Sequence, residues 1–393
     1  MQQVHVPVVI IGAGIAGLWV LNRLRQKGVQ AILLERTGIG GTQTMASQGI
    51  IHGGAKYVLS GKLTQAADSV AQMTEVWAQC LQGNGEIDLR AVRALSEHHY
   101  LWSLSRLTGG IKSFISAKVL NSNTNVLKAE QYPPLLRAPG FTGSICELQE
   151  TVLDVPSLVR TLAMPHLNYI WQADASSEYH YDTNGALLSI TLRAGDQACA
   201  LTADHYVLTA GEGNESILSA TGKAVPKMQR RPLQMVWLKF PDHRADGSLF
   251  LHCITSGMVP RLTITTHTDI AGKTVWYLGG GLAESGTQRS AQQQIQFAKQ
   301  ELAALLPWVN LADVEWGTLM IDRAEQDNGG KRPAYPGVKR LHTMLICWPT
   351  KLTLAPAMAK EVLNHLQGVS NLVQRPLPVW PTPVFAKPVW EQR

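Results

Sequence analysis

A glycine-rich motif, GAGIAG at residues 12–17, follows directly on a short apolar run at residues 8–11. A helical pattern comes next, and a second apolar run at residues 31–34 ends at Glu35, 18 residues after Gly17. Continuous apolar runs of this length are typical of parallel strands that are buried on both faces. The order therefore predicts a β-α-β unit that opens a Rossmann-like α/β domain.

Each residue type in this motif suits the binding of a pyrophosphate. Gly12 permits a tight turn, Gly14 lets the backbone approach the ligand, and Gly17 allows the helix to pack closely on the strand. The free N–H groups of the helix N-terminus attract an anion, and Glu35 is placed to accept hydrogen bonds from a ribose hydroxyl. The motif predicts a dinucleotide that contains ADP.

The spacing alone does not separate FAD from NAD, and an NAD-dependent dehydrogenase is the weaker alternative. Two observations favour FAD: the chain has a single such motif, and residues 37–61, directly after the acid, are rich in Gly, Ser and Thr. A segment that long and polar is a candidate functional loop, which a flavin enzyme needs to wrap the ribityl chain and the ring.

Composition narrows the class further. The chain of 393 residues is 45% hydrophobic and 16% charged, which excludes a disordered or fibrous chain. Its net charge of +6 comes without long basic runs, so we expect anionic small-molecule ligands and no nucleic acid. Five cysteines without metal-type spacing predict no disulfide framework and no metal site. No segment reads as a signal peptide or a membrane span, so we expect a cytoplasmic protein.

Further patterns predict a discontinuous arrangement. Helices are expected at residues 62–82 and 89–107, a helix and strand at 151–175, strand-like pieces between 230 and 285, and a helix at 288–306. We assign residues 1–80, 145–225 and 317–370 to the FAD-binding domain, and residues 81–144 and 226–316 to an inserted, mostly antiparallel substrate domain. The tail, 371–393, holds five prolines within residues 376–388 and predicts an extended strap.

Several segments resemble one family. They read TQTMASQGIIHGGAKY at residues 42–57, QETVLDVP at 149–156, VLTAGEGN at 207–214, DRAE at 322–325 and GKRP at 330–333. They are similar to the D-amino-acid-oxidase-like FAD-dependent oxidoreductases, in particular the branch with glycerol-3-phosphate dehydrogenase and L-2-hydroxyglutarate oxidase. The resemblance spans roughly residues 5–360. The loop at residues 348–353 departs from it, because it replaces a glycine-rich segment of most relatives.

The motif and the resemblance together imply a set of FAD contacts. The expected cofactor-binding residues are Gly12, Gly14, Ile15, Ala16, Gly17, Glu35, Arg36, Thr42, Thr44, Ser47, Gln48, Gly53, Ala173, Ala210, Gly211, Lys351, Leu352 and Thr353.

The resemblance places His52 at the flavin, where it could act as a general base, a hydrogen-bond partner or a covalent tether, or could only order its loop. Lys351 could stabilise the anionic reduced flavin, and Arg332, with Arg323 next, could bind a substrate carboxylate. Tyr57, Tyr335 and Trp348 could line the pocket.

We expect an FAD-dependent oxidoreductase that oxidises a small anionic 2-hydroxy acid by hydride transfer to flavin N5. An amino acid or secondary amine is the alternative substrate, and a flavin-binding protein with a structural or regulatory cofactor is the alternative class. The electron acceptor is open among oxygen, a quinone and a carrier protein.

Overall fold

The computed structural model describes residues 1–53, 65–104, 124–222, 226–244, 247–255, 259–369 and 375–392. Within them the helices are α1 (Ile15–Gln26), α2 (Gln65–Leu81), α3 (Val155–Ala163), α4 (Gly213–Ser219), α5 (Gly281–Ser285), α6 (Ala291–Leu305) and α7 (Ala355–His365). The strands are β1 (Gln2–Ile11), β2 (Ala31–Glu35), β3 (Ala94–Ser96), β4 (His99–Ser103), β5 (Thr124–Val126), β6 (Ser144–Leu148), β7 (Val152–Leu153), β8 (Ile170–Gln172), β9 (Glu178–Tyr181), β10 (Leu187–Ala194), β11 (Gln197–Leu208), β12 (Met228–Lys239), β13 (Leu251–Ile254), β14 (Leu262–Thr268), β15 (Thr274–Gly279), β16 (Glu315–Gln326), β17 (Gly337–Leu341) and β18 (Met344–Trp348).

The first sheet carries the predicted β-α-β unit at its centre. Its main order is β17-β18-β11-β1-β2-β8, with β1 parallel to both β2 and β11. The antiparallel pair β9–β10 is attached to β11. Helix α1 begins after Gly14 and ends before Gly28, whose φ of +73° ends the helix as the sequence predicts. This sheet and its helices confirm the Rossmann-like expectation.

The second sheet has the order β16-β12-β15-β14-β13-β4-β6-β5 and is antiparallel except between β4 and β13. Helix α6, with Ser290 and Gln293 forming a capping box at its start, packs on it. A separate apolar core, which includes Trp276 and Leu302, lies between them. The predicted mixed architecture, a Rossmann-like domain with a mostly antiparallel second sheet, is confirmed.

Two expectations about the chain's organisation are wrong in part. Residues 94–103 form strands β3 and β4 instead of a helix, because β4 lies between β13 and β6 and buries His99 and Trp102 there. Residues 317–326, assigned above to the FAD-binding domain, belong to β16, which pairs along its whole length with β12 of the second sheet.

The C-terminal tail is extended, but it also packs. Phe385 forms an isolated bridge with Ile39, and Trp380 and Trp390 are 8% and 7% exposed. Trp390 contacts the ring of His267 at 4.7 Å between centroids, so the tail joins both sheets. No described helix is both long enough and apolar enough to cross a membrane.

Candidate active site

A cleft of ≈ 420 Å³ runs between the two sheets. One end is lined by the glycine turn, by Glu35 and by Ala173. The other end is lined by His52 and Glu150 and by side chains of the second sheet. The cleft therefore joins the predicted dinucleotide site to the region where chemistry was expected.

The glycine turn has the geometry that the motif requires. Gly12 has a φ of +105°, and a Cβ there would lie 2.6 Å from Cα of Ala210, which follows the neighbouring strand β11. A Cβ on Gly17 would collide with the carbonyl oxygen of Gly12, so Gly17 lies beneath the turn instead of lining the cleft. Helix α1 carries no acidic residue in its first turn, so its positive N-terminus is available to an anion.

Glu35 is held in place by five hydrogen bonds from neighbouring groups. Its Oε1 accepts from the backbone N–H groups of Arg36, Thr37 and Gly38 and from the Thr37 hydroxyl. Its Oε2 accepts from the N–H of Ala13 at 2.8 Å. The carboxylate is thereby fixed at the end of β2 beside the glycine turn, with acceptor capacity for a ribose hydroxyl.

The loop after β2 is fastened to both sheets. Thr44 accepts a hydrogen bond from the N–H of Ile15 at 2.9 Å, and Gln48 donates to the carbonyl oxygen of Tyr277 at 2.9 Å. The Tyr277 hydroxyl in turn donates to the carbonyl oxygen of Ala46. Ser47 Oγ is buried and has no hydrogen-bond partner among the described residues. Ser47 also lines the cleft, so a bound ligand can satisfy this hydroxyl.

At the other end of the cleft, His52 pairs with a buried carboxylate. Nδ1 of His52 lies 3.3 Å from Oε2 of Glu150, and the N–H of Gly53 donates to Oε1 of the same residue. The backbone N–H of His52 donates to Thr353, so Thr353 positions His52 and does not line the cleft. The side chains of His52 and Glu150 are 29% and 4% exposed.

Two further histidines adjoin this pair. The rings of His52 and His252 are nearly parallel, with centroids 5.9 Å apart, and His99 packs on His252 at 4.1 Å. Burial raises the pKa of Glu150, but the His52 hydrogen bond, the charges of His52 and His99 and the Gly53 N–H outweigh it and bring the pKa to about 2. Glu150 is therefore a carboxylate at neutral pH.

Three cationic side chains, those of Arg323, Arg332 and Lys351, also line the cleft. Arg323 on β16 is largely buried, and burial together with the charges of Arg231 and Arg332 lowers its pKa to about 10, against the attraction of Glu284 and Glu325. Arg332 is exposed. Lys351 is half-buried before a short 3₁₀ turn, Leu352–Leu354, that leads into α7. The preceding Thr350 has a φ of +60°.

Most predicted site residues line this one cleft. They are Gly12, Gly14, Ile15, Ala16, Glu35, Arg36, Thr42, Thr44, Ser47, Gln48, His52, Ala173, Ala210, Gly211, Arg332, Lys351 and Leu352. Gly17, Gly53 and Thr353 lie behind its wall. Trp348 also lines it and is fully buried, whereas Tyr57 lies outside the described residues.

Sequence reasoning missed several residues that line the cleft or lie next to it. Glu150 and Thr209 lay in segments quoted for their resemblance but were given no role, and His252 and His99, which adjoin the pair, were not considered. Thr209 donates to the carbonyl oxygen of Gly12 and so supports the turn from β11. Glu150 carried a signal as one of two acids in a matching segment, whereas nothing in the sequence pointed to the two histidines.

Comparison with known proteins identifies the family. The family described as FAD dependent oxidoreductase, DAO, matches residues 7–363. The chain belongs to this family. It is 42% identical over 394 residues to the probable FAD-dependent oxidoreductase PA4991 of Pseudomonas aeruginosa, covering 99% of this chain and 98% of the relative. The crystal structure of PA4991 superposes with a TM-score of 0.85 at 38% identity, over 100% of this chain and 99% of the other.

More distant DAO-like structures share the fold. Iminodiacetate oxidase from Chelativorans sp. BNC1 has a TM-score of 0.67 at 16% identity, over 97% of this chain and 100% of the other. L-alpha-glycerophosphate oxidase from Mycoplasma pneumoniae, solved with FAD bound, has a TM-score of 0.67 at 12% identity, over 99% and 98%.

The protein is thus an FAD-dependent oxidoreductase with FAD as its cofactor. Its own residues fit this cofactor: the Gly12 turn leaves no room for a side chain, the N-terminus of α1 lacks acidic residues, and Ser47 presents a buried, unsatisfied hydroxyl.

Proposed function

We propose that this protein oxidises a small anionic 2-hydroxy acid to the corresponding 2-keto acid. The observation that carries the proposal is that a histidine–glutamate pair and two arginines line the same cleft. Oxidation of a hydroxy acid needs both kinds of group, because the hydroxyl must lose a proton and the carboxylate must be held.

The FAD would lie along the cleft. We assign its pyrophosphate to the turn at Gly12 and Gly14 and to the N-terminus of α1, and its adenosine ribose to Glu35. Thr42, Ser47 and the backbone near Gly211 would contact the rest of the cofactor. When bound, FAD supplies the acceptor, at N5, for the hydride and its two electrons.

His52 is the proposed general base. Glu150 holds its ring through Nδ1, which leaves Nε2 to accept the proton of the substrate hydroxyl. The hydroxyl proton then resides on His52, the C–H bond breaks with its electron pair as hydride, and the carbon–oxygen double bond forms. Because Glu150 is already a carboxylate, the pair can take up this charge without further ionisation.

The substrate carboxylate is assigned to Arg323, with Arg332 at the mouth of the cleft. Arg323 is the better candidate because it lies on strand β16 and is largely buried. The nearby charges of Arg231 and Arg332 repel its guanidinium group, and a bound carboxylate would reduce that repulsion. Lys351, beside the start of α7, is assigned to the anionic reduced cofactor.

The test is anaerobic reduction of the FAD-loaded protein. A panel of 2-hydroxy acids and a matched panel of amino and imino acids are added, and loss of the oxidised-flavin absorbance is followed. We expect bleaching by a 2-hydroxy acid but not by its methyl ester. Failure of every hydroxy acid in a protein that dithionite reduces would overturn the proposal. Admission of air to the bleached sample then shows whether oxygen is the acceptor.

A His52→Asn variant tests the base. We expect flavin reduction to slow about 10²–10⁴-fold with FAD content retained. The matched control is His180→Asn, because His180 is an exposed histidine on β9, away from the cleft lining. Equal rates in the wild type and the His52 variant would exclude His52 as the base.

An amine substrate is the second candidate, because an iminodiacetate oxidase shares the fold. An amine can enter as the neutral base, so its oxidation needs no separate proton acceptor. If the donor is an amine, the His52→Asn change should alter its rate of flavin reduction much less at a pH where the amine is neutral.

The five buried free thiols favour a cytoplasmic location, which is also a proposal.

A further inference from the structure

His52, Glu150 and His252 bring three potential metal ligands together from three distant parts of the chain. One nitrogen of each histidine and one carboxylate oxygen all lie within 4.8 Å of one another. His52 Nδ1 and Glu150 Oε2 are 3.3 Å apart, which matches the separation of about 3.3 Å between ligand atoms around a tetrahedral zinc ion with bonds of about 2.0–2.1 Å. We propose that these three side chains bind a divalent transition-metal ion of the zinc class.

Two of the three ligands are oriented by a second hydrogen bond, as metal ligands usually are. Nδ1 of His252 lies 2.8 Å from the hydroxyl of Thr263, so Nε2 is the nitrogen that would coordinate. Glu150 is held through Oε1 by the N–H of Gly53, which directs Oε2 toward His52. The three side chains therefore need only small shifts to converge on one ion.

The donor set selects the kind of metal. Two imidazoles and one carboxylate suit zinc, cobalt, nickel or iron, whereas magnesium and calcium prefer sites built from oxygen alone. Burial of Glu150 and His252, with 4% and 2% exposure, favours an ion that neutralises the carboxylate. His52 and Glu150 both line the cleft, so an open coordination position would face the cleft and take water or a substrate oxygen.

His52 cannot coordinate the proposed ion and act as the proposed general base at the same time. An imidazole that coordinates through Nδ1 keeps its proton on Nε2, and Nε2 then cannot accept a proton from the substrate. Metal binding should therefore inhibit flavin reduction reversibly. This consequence rests on the proposed function of His52, whereas metal binding itself does not.

Binding is tested on the FAD-loaded protein after treatment with a chelator. Zn²⁺ is titrated by calorimetry, and Co²⁺ is added to a second sample to look for ligand-field bands at longer wavelengths than flavin absorption. We expect one ion per chain and Co²⁺ bands of four- or five-coordinate intensity. The absence of a saturable site, or a Co²⁺ spectrum equal to that of the hydrated ion, would overturn the proposal without any variant.

Two variants locate the site. Glu150→Gln keeps an oxygen that accepts from the Gly53 N–H. His252→Gln changes a different segment, strand β13, so if one variant fails to fold, the other still tests the site. We expect metal affinity to fall at least about tenfold in each, with FAD content as the folding check and His180→Gln as the matched control. Titrations that superimpose on the wild type would exclude these ligands.

A last measurement separates the two proposals. With a donor that bleaches the flavin, Zn²⁺ should slow reduction and a chelator should restore the rate. If Zn²⁺ binds at this site but reduction proceeds at an unchanged rate, the metal site stands and His52 is not the base.

Discussion

At the glycine-rich end of the cleft, one continuous segment supplies most of the groups that shape the site. Residues 8–35 provide the turn, the helix N-terminus and Glu35, and β11 only supports them. At the other end, His52, Glu150 and His252 come from three distant segments: the loop after β2, the connection between β6 and β7, and strand β13. The first end depends on local backbone geometry, whereas the second depends on how segments far apart in the chain come together.

A single substitution in the glycine turn should therefore be enough to abolish FAD binding at the glycine-rich end. Gly12→Ala places a Cβ 2.6 Å from Cα of Ala210, at a φ of +105° that side chains rarely adopt. We expect loss of FAD, with affinity reduced by about 100-fold or more, measured from the ratio of flavin to protein absorbance.

Gly272→Ala is the matched control, because Gly272 has a φ of +81° in open space. It should cost about 1 kcal/mol of stability and leave FAD content unchanged. If both variants lose FAD equally, the close approach to Ala210 is not the reason for glycine at position 12.

The difference between the two ends also explains what the sequence could reveal. The β-α-β unit is set by apolar runs and glycines that follow one another, so the fold class and the position of Glu35 beside the glycine turn were predictable. Glu150 and His252 are separated from His52 by about 100 and 200 residues, so no spacing rule could connect them. The strand at residues 99–103 was missed for the same reason, because its partners β6 and β13 lie far along the chain.

At the His52 end, the contribution of the buried His52–Glu150 pair to the free energy of unfolding should decrease at low pH. The pKa of Glu150 falls from 4.5 to about 2 on folding, so the unfolded chain binds this proton more tightly than the native protein. The pair then stabilises the fold fully above about pH 4.5 and progressively less as the pH falls toward 2, by about 3 kcal/mol in all.

Urea unfolding of the wild type and of Glu150→Gln checks this prediction. We expect the variant to be less stable by a few kcal/mol at neutral pH, and the difference to narrow as the pH is lowered below about 4.5. A difference that stays constant with pH would mean that Glu150 acts by packing alone.

Substitution of Arg323 and of Arg332 should have different effects on KM, because Arg323 is largely buried and Arg332 is exposed. Arg323→Lys keeps the charge but removes the fork that binds a carboxylate, so we expect KM for the donor to rise about 10-fold or more. Arg332→Lys, at the exposed position, should change KM by less than about threefold. Equal effects on both would assign the carboxylate to the mouth of the cleft, and steady-state kinetics decides between these outcomes.

The smallest expected effect lies between the two ends, at Ser47. Because its hydroxyl is buried without a partner among the described residues, Ser47→Ala should not destabilise the FAD-free protein. It should weaken FAD binding by a few-fold, since one hydrogen bond contributes about 0.5–1.5 kcal/mol. Thermal unfolding with and without FAD gives both quantities. A lower Tm without FAD and an unchanged Kd for FAD would mean that the hydroxyl serves the fold, and the FAD contact would then have to be assigned to the rest of the loop.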